Sequence, residues 1–340
     1  MTGLEPIALQ FSPAELAEIF IRGMGTAGVF VLIASGLSLI FGLMGVLNFA
    51  HGSLTTYGAF AGAAILLSIS SAGATGISAI VALVAAAIGV FVLLSLFGAS
   101  IEFGLIRRLY ERPPIDQILL TFGVALVLDE FLTIILELWN VDPFRPYSAP
   151  TSYGPSFLEQ GQNLVLGGIN VRWLYIFEFV VGALVVIAVW LFLNQTRYGL
   201  YIRAGSEDDE MAEALGINVR RVFTLVFGVG IGLAGVSGLF LIWDPVYKLQ
   251  ITLGAEALLP AFIVVVVGGL GTFKGTVVAS GIAGIFAQFG NALFTNQTQL
   301  GGINLGNFPQ LPSMLIFILL IVMLIVKPTG LYGEEEVGGH

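Results

Sequence analysis

Two polar side chains stand inside a long apolar stretch. Asn48 and His51 lie within residues 36–62, GLSLIFGLMGVLNFAHGSLTTYGAFAG, flanked by Gly45 and Gly52. An amide and an imidazole both donate and accept hydrogen bonds, and burying them in hydrocarbon is costly without partners. Two roles fit: bonding to backbone that the glycines open, or lining the path or gate of a solute. Four carboxylates, Asp129, Glu130, Glu178 and Glu256, fall in or beside other apolar runs. Such groups can relay protons or cations in carriers, but these sit toward the outer ends of their runs, where charge reaches water. Gly271-Thr272-Phe273-Lys274-Gly275-Thr276 has the outline of a phosphate loop. That loop needs glycine directly before the lysine and serine or threonine directly after it. Phe273 and Gly275 hold those places, so the segment reads as a glycine turn. The chain has no cysteine, and its only histidines are His51 and His340. Thiol chemistry and disulfides are excluded, and no metal site is expected. Serines and acids occur without a strand-turn-helix elbow, so no catalytic residue is assigned.

The elements that must position these residues are hydrophobic. Of 340 residues, 57% are hydrophobic and 10% charged, against about 25% charged in a soluble domain. Mean hydropathy is +0.96. The apolar runs are continuous, not alternating, which selects helices over a transmembrane barrel. The net charge of -9 argues against a nucleic-acid surface.

In chain order, Ser12-Pro13-Ala14-Glu15 fits a capped helix start. An interfacial helix within 1–21 is expected to lead into a first span at about 22–44. Further spans are expected at about 53–70, 77–105, 116–139, 173–193, 222–243, 255–270, 275–294 and 309–326. Whether 44–52 is a plain turn or re-enters the membrane stays open. Gly58/Gly62, Gly228/Gly232 and Ala234/Gly238 are small-residue pairs that allow close helix contact. The proline-rich stretch 140–172 reads as an external loop with little regular structure. The fold expected is an all-α polytopic membrane protein, one permease-like domain with about eight to nine transmembrane helices. Spans one to four and six to nine form two inverted repeats, the plan of many transporters.

Alternating nine crossings places Arg107, Arg108, Arg112, Arg197, Arg203, Arg220, Arg221, Lys274 and Lys327 on one side. Arg22, Arg145, Arg172 and Lys248 fall on the other. Basic loops face the cytoplasm. The N-terminus is therefore expected outside, with the 328–340 tail and the polar island 194–221 cytoplasmic. The first basic residue is Arg22, so no cleavable leader is expected. Within the island, Ser206 is expected to cap a helix beginning Glu207, Asp208, Asp209 and Glu210, acidic at its positive end. Met211, Ala214 and Leu215 share a face, and Gly216 can stop the helix in a left-handed conformation. The segment reads as a solvated loop helix or as a docking element for a soluble partner.

Gly42-Leu43-Met44-Gly45-Val46-Leu47-Asn48-Phe49-Ala50-His51-Gly52 is similar to the signature of the permeases of ABC importers for branched-chain amino acids. Residues 203–217, 260–262 with 267–271, and 327–331 resemble three further motifs of that family, in order. The resemblance covers about 20–332 and extends to the urea and short-amide permeases. It implies a subunit in the plasma (inner) membrane that is not itself an enzyme and has no cofactor of its own. ATP would be bound by partners. The implied partners are a second permease subunit, two cytoplasmic ABC ATPases and an external solute-binding protein, all set around the lipid bilayer. It also implies that Glu207, Asp208, Glu210, Met211, Ala214, Leu215 and Gly216 form a coupling helix on the ATPase. Asn48, His51, Gly52, Thr121, Gly268 and Gly269 are taken as path or gate residues. Branched-chain amino acids, urea and amides all remain open as solutes. A stand-alone secondary carrier or channel is the alternative from another class.

Overall fold

A computed structural model describes residues 11–110, 112–295, 299–300, 303–304 and 311–333. The expectations placed on 1–10, on most of the loop before the last helix and on 334–340 lie outside the described residues. Eleven α-helices are described: α1 Pro13–Met44, α2 Ala50–Ile69, α3 Gly76–Gly104, α4 Pro114–Leu138, α5 Trp173–Gln195, α6 Arg197–Glu207, α7 Asp209–Ala214, α8 Val219–Leu241, α9 Leu253–Gly268, α10 Phe273–Thr295 and α11 Leu311–Val326. Among the described residues, seven helices (α1 to α5, α8 and α10) are long and apolar enough to cross a membrane, and α9 and α11 are shorter and apolar. Helices keep their backbone hydrogen bonds internal, as hydrocarbon requires. The outward faces of α3, α4 and α5 expose large apolar side chains such as Ile77, Leu96, Val127 and Leu184, which suits lipid.

Glycine decides how close the inner helices come. α1 and α10 run antiparallel, with Gly23 against Ile285 and Gly284 against Ala27. α8 and α3 do the same, with Gly98 on Ile231 and Gly235 on Leu94 and Val90. α2 packs parallel to α8 through Gly58 on Gly235 and Gly62 on Leu239, and α1 crosses α8 at Gly36 and Gly230. α2 also packs on α3 and α4, as α9 packs on α10 and α11. Exchanging α1 with α8, α2 with α9, α3 with α10 and α4 with α11 maps these pairs onto one another. The two repeats are therefore visible in the packing. α5 lies outside both, parallel to α1, where Gly25 and Gly28 meet the backbone of Tyr175 and Glu178.

Four expectations need correction. The interfacial helix and the first span are one continuous helix, α1, capped at Ser12: its hydroxyl accepts from the Glu15 amide at 3.3 Å, and its own amide donates to Glu15 Oε2 at 2.7 Å. No residue between 13 and 44 breaks helical spacing. The 140–172 loop carries a hairpin, β1 Asn163–Leu166 with β2 Ile169–Arg172, in register Leu166↔Ile169. Gly167 and Gly168 make its two-residue turn with φ of 58° and 86°, the conformation a tight hairpin demands. The third concerns the cap of α7 and the fourth the exposure of Glu178; both are described with the site.

The two ends of the bundle differ in charge. One end gathers the 105–110 turn, α6, α7 and the residues after α9 and α11. Leu43 meets Gly205 there, Gly42 meets Gly271, and Gly269 meets Gly330. Nine of the 13 basic residues, those named above for one side, belong to it. At the other end Trp243 Nε1 donates to Thr151 O at 3.0 Å and the Ile251 amide to Pro143 O at 2.9 Å.

Candidate functional site

The site begins where α1 stops. Gly45, at φ 64°, ends α1 with its amide on Phe41 O. The chain then turns back along α1. His51, in the first turn of α2, reaches Ile33 O with Nε2 at 3.1 Å. Ile33 lies 11 residues before the end of α1, so α2 starts roughly 16 Å inside the bundle at about 1.5 Å per residue. Residues 45–49 are thus re-entrant.

Three side chains hold this turn. The Asn48 amide oxygen accepts from the Ala50 amide at 3.1 Å, and Asn48 O accepts from the His51 amide at 3.2 Å. Thr121 of α4 clamps both sides: its hydroxyl lies 3.1 Å from Leu47 O and accepts from the Phe49 amide at 3.2 Å. Tyr57 continues the same seam, donating to Leu128 O at 2.8 Å. Asn48 is 2% exposed and His51 fully buried. Among the described residues Asn48 Nδ2 and His51 Nδ1 have no hydrogen-bond partner. Each side chain ties the broken backbone and leaves one nitrogen without a partner among the described residues. A cavity of about 280 Å³ opens beside them, lined by Leu37, Leu47, Asn48, Phe49, Leu258 and Phe262 among others.

The second repeat supplies a matching break. After α8 the chain folds back through residues 244–252, and α9 begins inside the bundle against the start of α2. The Gly254 amide donates to Thr56 Oγ1 at 2.9 Å. Gly52 packs on Gly254 and Leu258, while Gly254 packs on Gly52 and Thr56. Two helix N-termini, one from each repeat, meet at one point. Sequence reasoning found Asn48, His51, Gly52 and Thr121 but missed Thr56 and Gly254. A glycine early in each helix was the only signal available for the second.

Gly268 and Gly269 do not join this point. They end α9, about 21 Å along its axis from Gly254. Gly269, at φ 103°, lies against Gly330 and Gly333, and the Leu331 and Tyr332 amides donate to Val267 O and Gly268 O at 2.8 and 3.0 Å. The terminal 327–331 motif closes on the glycine turn.

At the basic end, α6 seats on α1 and α7 follows it. Asp208 caps α7, accepting from the Met211 amide at 2.8 Å. Ser206 was expected as the cap, but it sits in the last turn of α6 and donates to Arg203 O. α6 runs through Ser206 to Glu207, which leaves the Asp208 carboxylate as the first side chain free to cap. Gly216 is left-handed, at φ 86°, and the Ile217 amide closes on Ala212 O at 3.0 Å. Ala212 is buried, whereas Met211 is 58% and Leu215 74% exposed. Glu207, Glu210 and Ala214 are exposed around them. The helix is held on one side and presents an apolar, acid-rimmed face on the other.

Of the four outer carboxylates, Glu130 and Glu256 are exposed and Asp129 half-buried. Glu178 differs from expectation: it is 1% exposed, because glycine packing draws α5 onto α1, and its carboxyl faces Asp244. Asp244 lies beyond the end of α8 and accepts from the Val246 amide at 2.7 Å. Burial holds its carboxyl above the ordinary aspartate range.

A family model described as branched-chain amino acid transport system / permease component matches residues 19–324. The high-affinity branched-chain amino acid transport system permease protein BraD of Pseudomonas aeruginosa is 27% identical over 318 residues, 93% of this chain and 95% of that protein. LivH of Escherichia coli K12, with the same description, is 26% identical over 323 residues, 95% and 96% of the two chains. The fructose import permease protein FrcC of Rhizobium meliloti is 28% identical over 162 residues, 48% of this chain and 42% of that one. No solved structure matches this chain.

Proposed function

The chain belongs to the family of permease components of branched-chain amino acid transport systems, and from that premise we propose that it is the membrane-spanning subunit of an ATP-driven importer. Its solute is a branched-chain amino acid handed over by an external binding protein. The chain holds no nucleotide-binding motif, so ATP is bound and hydrolysed by two partner ATPases. A second permease of the same fold completes the path. The observation that carries this reading is α7: a capped helix, anchored at Ala212, whose Met211 and Leu215 stand bare at the arginine-rich end. By the rule that basic loops stay inside, that end is cytoplasmic. The ATPases grip this face, and their closure on ATP moves α7 and the helices behind it. The paired breaks at residues 48–52 and at Gly254 form the gate, since half-helices can tilt without breaking a full hydrogen-bond ladder.

The partial likeness to a fructose import permease sets fructose among the solutes to test. ATP-dependent uptake of labelled leucine, valine, urea and fructose into proteoliposomes carrying the full complex tests the choice. Uptake of leucine and valine alone is expected; uptake driven by an ion gradient without ATP would overturn the importer reading in favour of a stand-alone carrier. Leu215→Asp should release the ATPases on purification while leaving the chain folded.

A further inference from the structure

A buried charged cluster sits between the coupling element and the gate. Glu102, in the last turn of α3, is fully buried. Arg107 pairs with it in two parallel contacts, Nε to Oε1 and Nη2 to Oε2, both 3.2 Å. The same guanidinium lies over the Phe103 ring, 4.6 Å from its centroid, and donates to Thr224 Oγ1 at 2.6 Å. Tyr110 donates its hydroxyl to Glu102 Oε1 and sets its ring edge-on to Phe223 at 5.1 Å. Phe223 and Thr224 belong to the first two turns of α8, just after α7. The turn that carries Arg107 is tied onward: Gln117 of α4 donates to Leu109 O at 3.1 Å. One helical turn later on α4, Thr121 holds the re-entrant segment at Leu47 and Phe49.

We propose that Thr224, Arg107, Glu102 and Gln117 are positioning residues that carry displacement of α7 through α8 and α4 to the re-entrant gate. Between elements the links are named hydrogen bonds, Thr224 with Arg107, Gln117 with Leu109 and Thr121 with the 47–49 backbone, and within elements the chain itself joins them. A bidentate pair inside low dielectric is stiff and directional. Separating the two would leave the buried Glu102 carboxylate without its partner, so the pair fixes the turn to α3, and the Arg107–Thr224 bond ties that turn to α8. α4 is then the rod that pulls on Asn48 through Thr121. This inference rests on the reading of α7 as the ATPase contact, and its test separates the two.

The chain has no cysteine, and Phe49 is 39% exposed beside the gate. Phe49→Cys therefore gives this chain a single maleimide target in the assembled complex. Its labelling rate should change between nucleotide-free and ATP-bound states. Thr224→Val keeps the side-chain shape and leaves Arg107 paired with Glu102. Gln117→Leu breaks the next link. In either background the ATP-dependent change in labelling at position 49 should disappear and solute moved per ATP should fall roughly 3- to 30-fold, while basal ATP hydrolysis persists. The double variant should be no worse than the worse single, because both cut one chain. Thr224→Ser restores the hydroxyl and should restore the response, which a mere loss of fold would not predict. A Phe49→Cys parent that never responds to ATP overturns the importer reading and this inference with it. A responsive parent whose Thr224→Val and Gln117→Leu derivatives respond equally overturns the inference alone.

Discussion

Gly52 and Gly254 press backbone to backbone, and a Cβ on either would overlap the carbonyl of the other. Each begins a helix, one in each repeat, and the contact lies where the two breaks meet. The neighbour is main chain on both sides and has no rotamer with which to yield. Gly254→Ala is expected to destabilise the protein by about 1–3 kcal/mol and to abolish uptake. Gly281→Ala is the control. Gly281 is helical in α10 with open space around its Cβ position, and alanine there should be neutral or gain up to about 1 kcal/mol. Thermal midpoints in detergent for the two variants decide the matter, and equal midpoints would remove the packing argument.

Thr121 bridges a carbonyl and an amide of the re-entrant segment. Thr121→Val keeps its shape and deletes both bonds. The Phe49 amide then loses its side-chain acceptor, at a cost of about 1–3 kcal/mol. The loss should concentrate at the re-entrant turn, and if that turn gates the path as proposed, uptake should fall further than overall stability does. Hydrogen exchange confined to residues 45–51, faster in the variant, is the expected signature. Exchange unchanged there would show that the segment is held by packing alone.

The membrane class, the helices and the polar pair were legible in the sequence because each rests on a local signal. Unbroken apolar runs give spans, Ser12 with Glu15 gives a capping box, and Asn48 with His51 stands out against hydrocarbon. The depth at which α2 starts was not legible. It depends on His51 finding a carbonyl 18 residues earlier, a contact that no spacing rule encodes. The hairpin at 163–172 had a readable signal, a Gly-Gly pair between two short β-prone runs, hidden by the prolines around it. The cap of α7 was misplaced because Ser206 and Asp208 are both good caps. Only the length of α6 chooses between them. Glu178 looked water-exposed by position; its burial comes from glycines on α1, far off in sequence.

Asp208 and Gly216 set the two ends of α7. A six-residue helix has little stability of its own, so its ends dominate. Asp208→Ala removes the bond to the Met211 amide and should cost about 1 kcal/mol locally. Gly216→Ala forces a side chain into a left-handed conformation, with a similar cost. Neither changes the exposed Met211 and Leu215 face chemically. Both should weaken capture of the ATPase subunits several-fold in a pull-down, with the melting temperature of the permease barely moved. A fall in melting temperature as large as that of Gly254→Ala would mean that α7 belongs to the core and not to a docking surface.

Asp244 makes stability depend on pH. Burial raises its carboxyl above the ordinary value of 3.8, so the native protein keeps a proton that the unfolded chain releases. Its contribution is fully present below about pH 4 and is lost as pH rises through the higher native value. The slope for one proton is at most about 1.4 kcal/mol per pH unit. The groups facing it are the Val246 and Tyr247 amides, Glu178 from α5 and Arg172; each favours the charged form, and burial outweighs them. Asp244→Asn keeps an oxygen for the Val246 and Tyr247 amides and cannot ionise. The variant should therefore lose less stability than the parent as pH rises above about 4, with the two curves converging on the acid side. Melting temperatures across that range measure the difference directly, and parallel curves would show that Asp244 ionises in the native state as freely as in the unfolded chain.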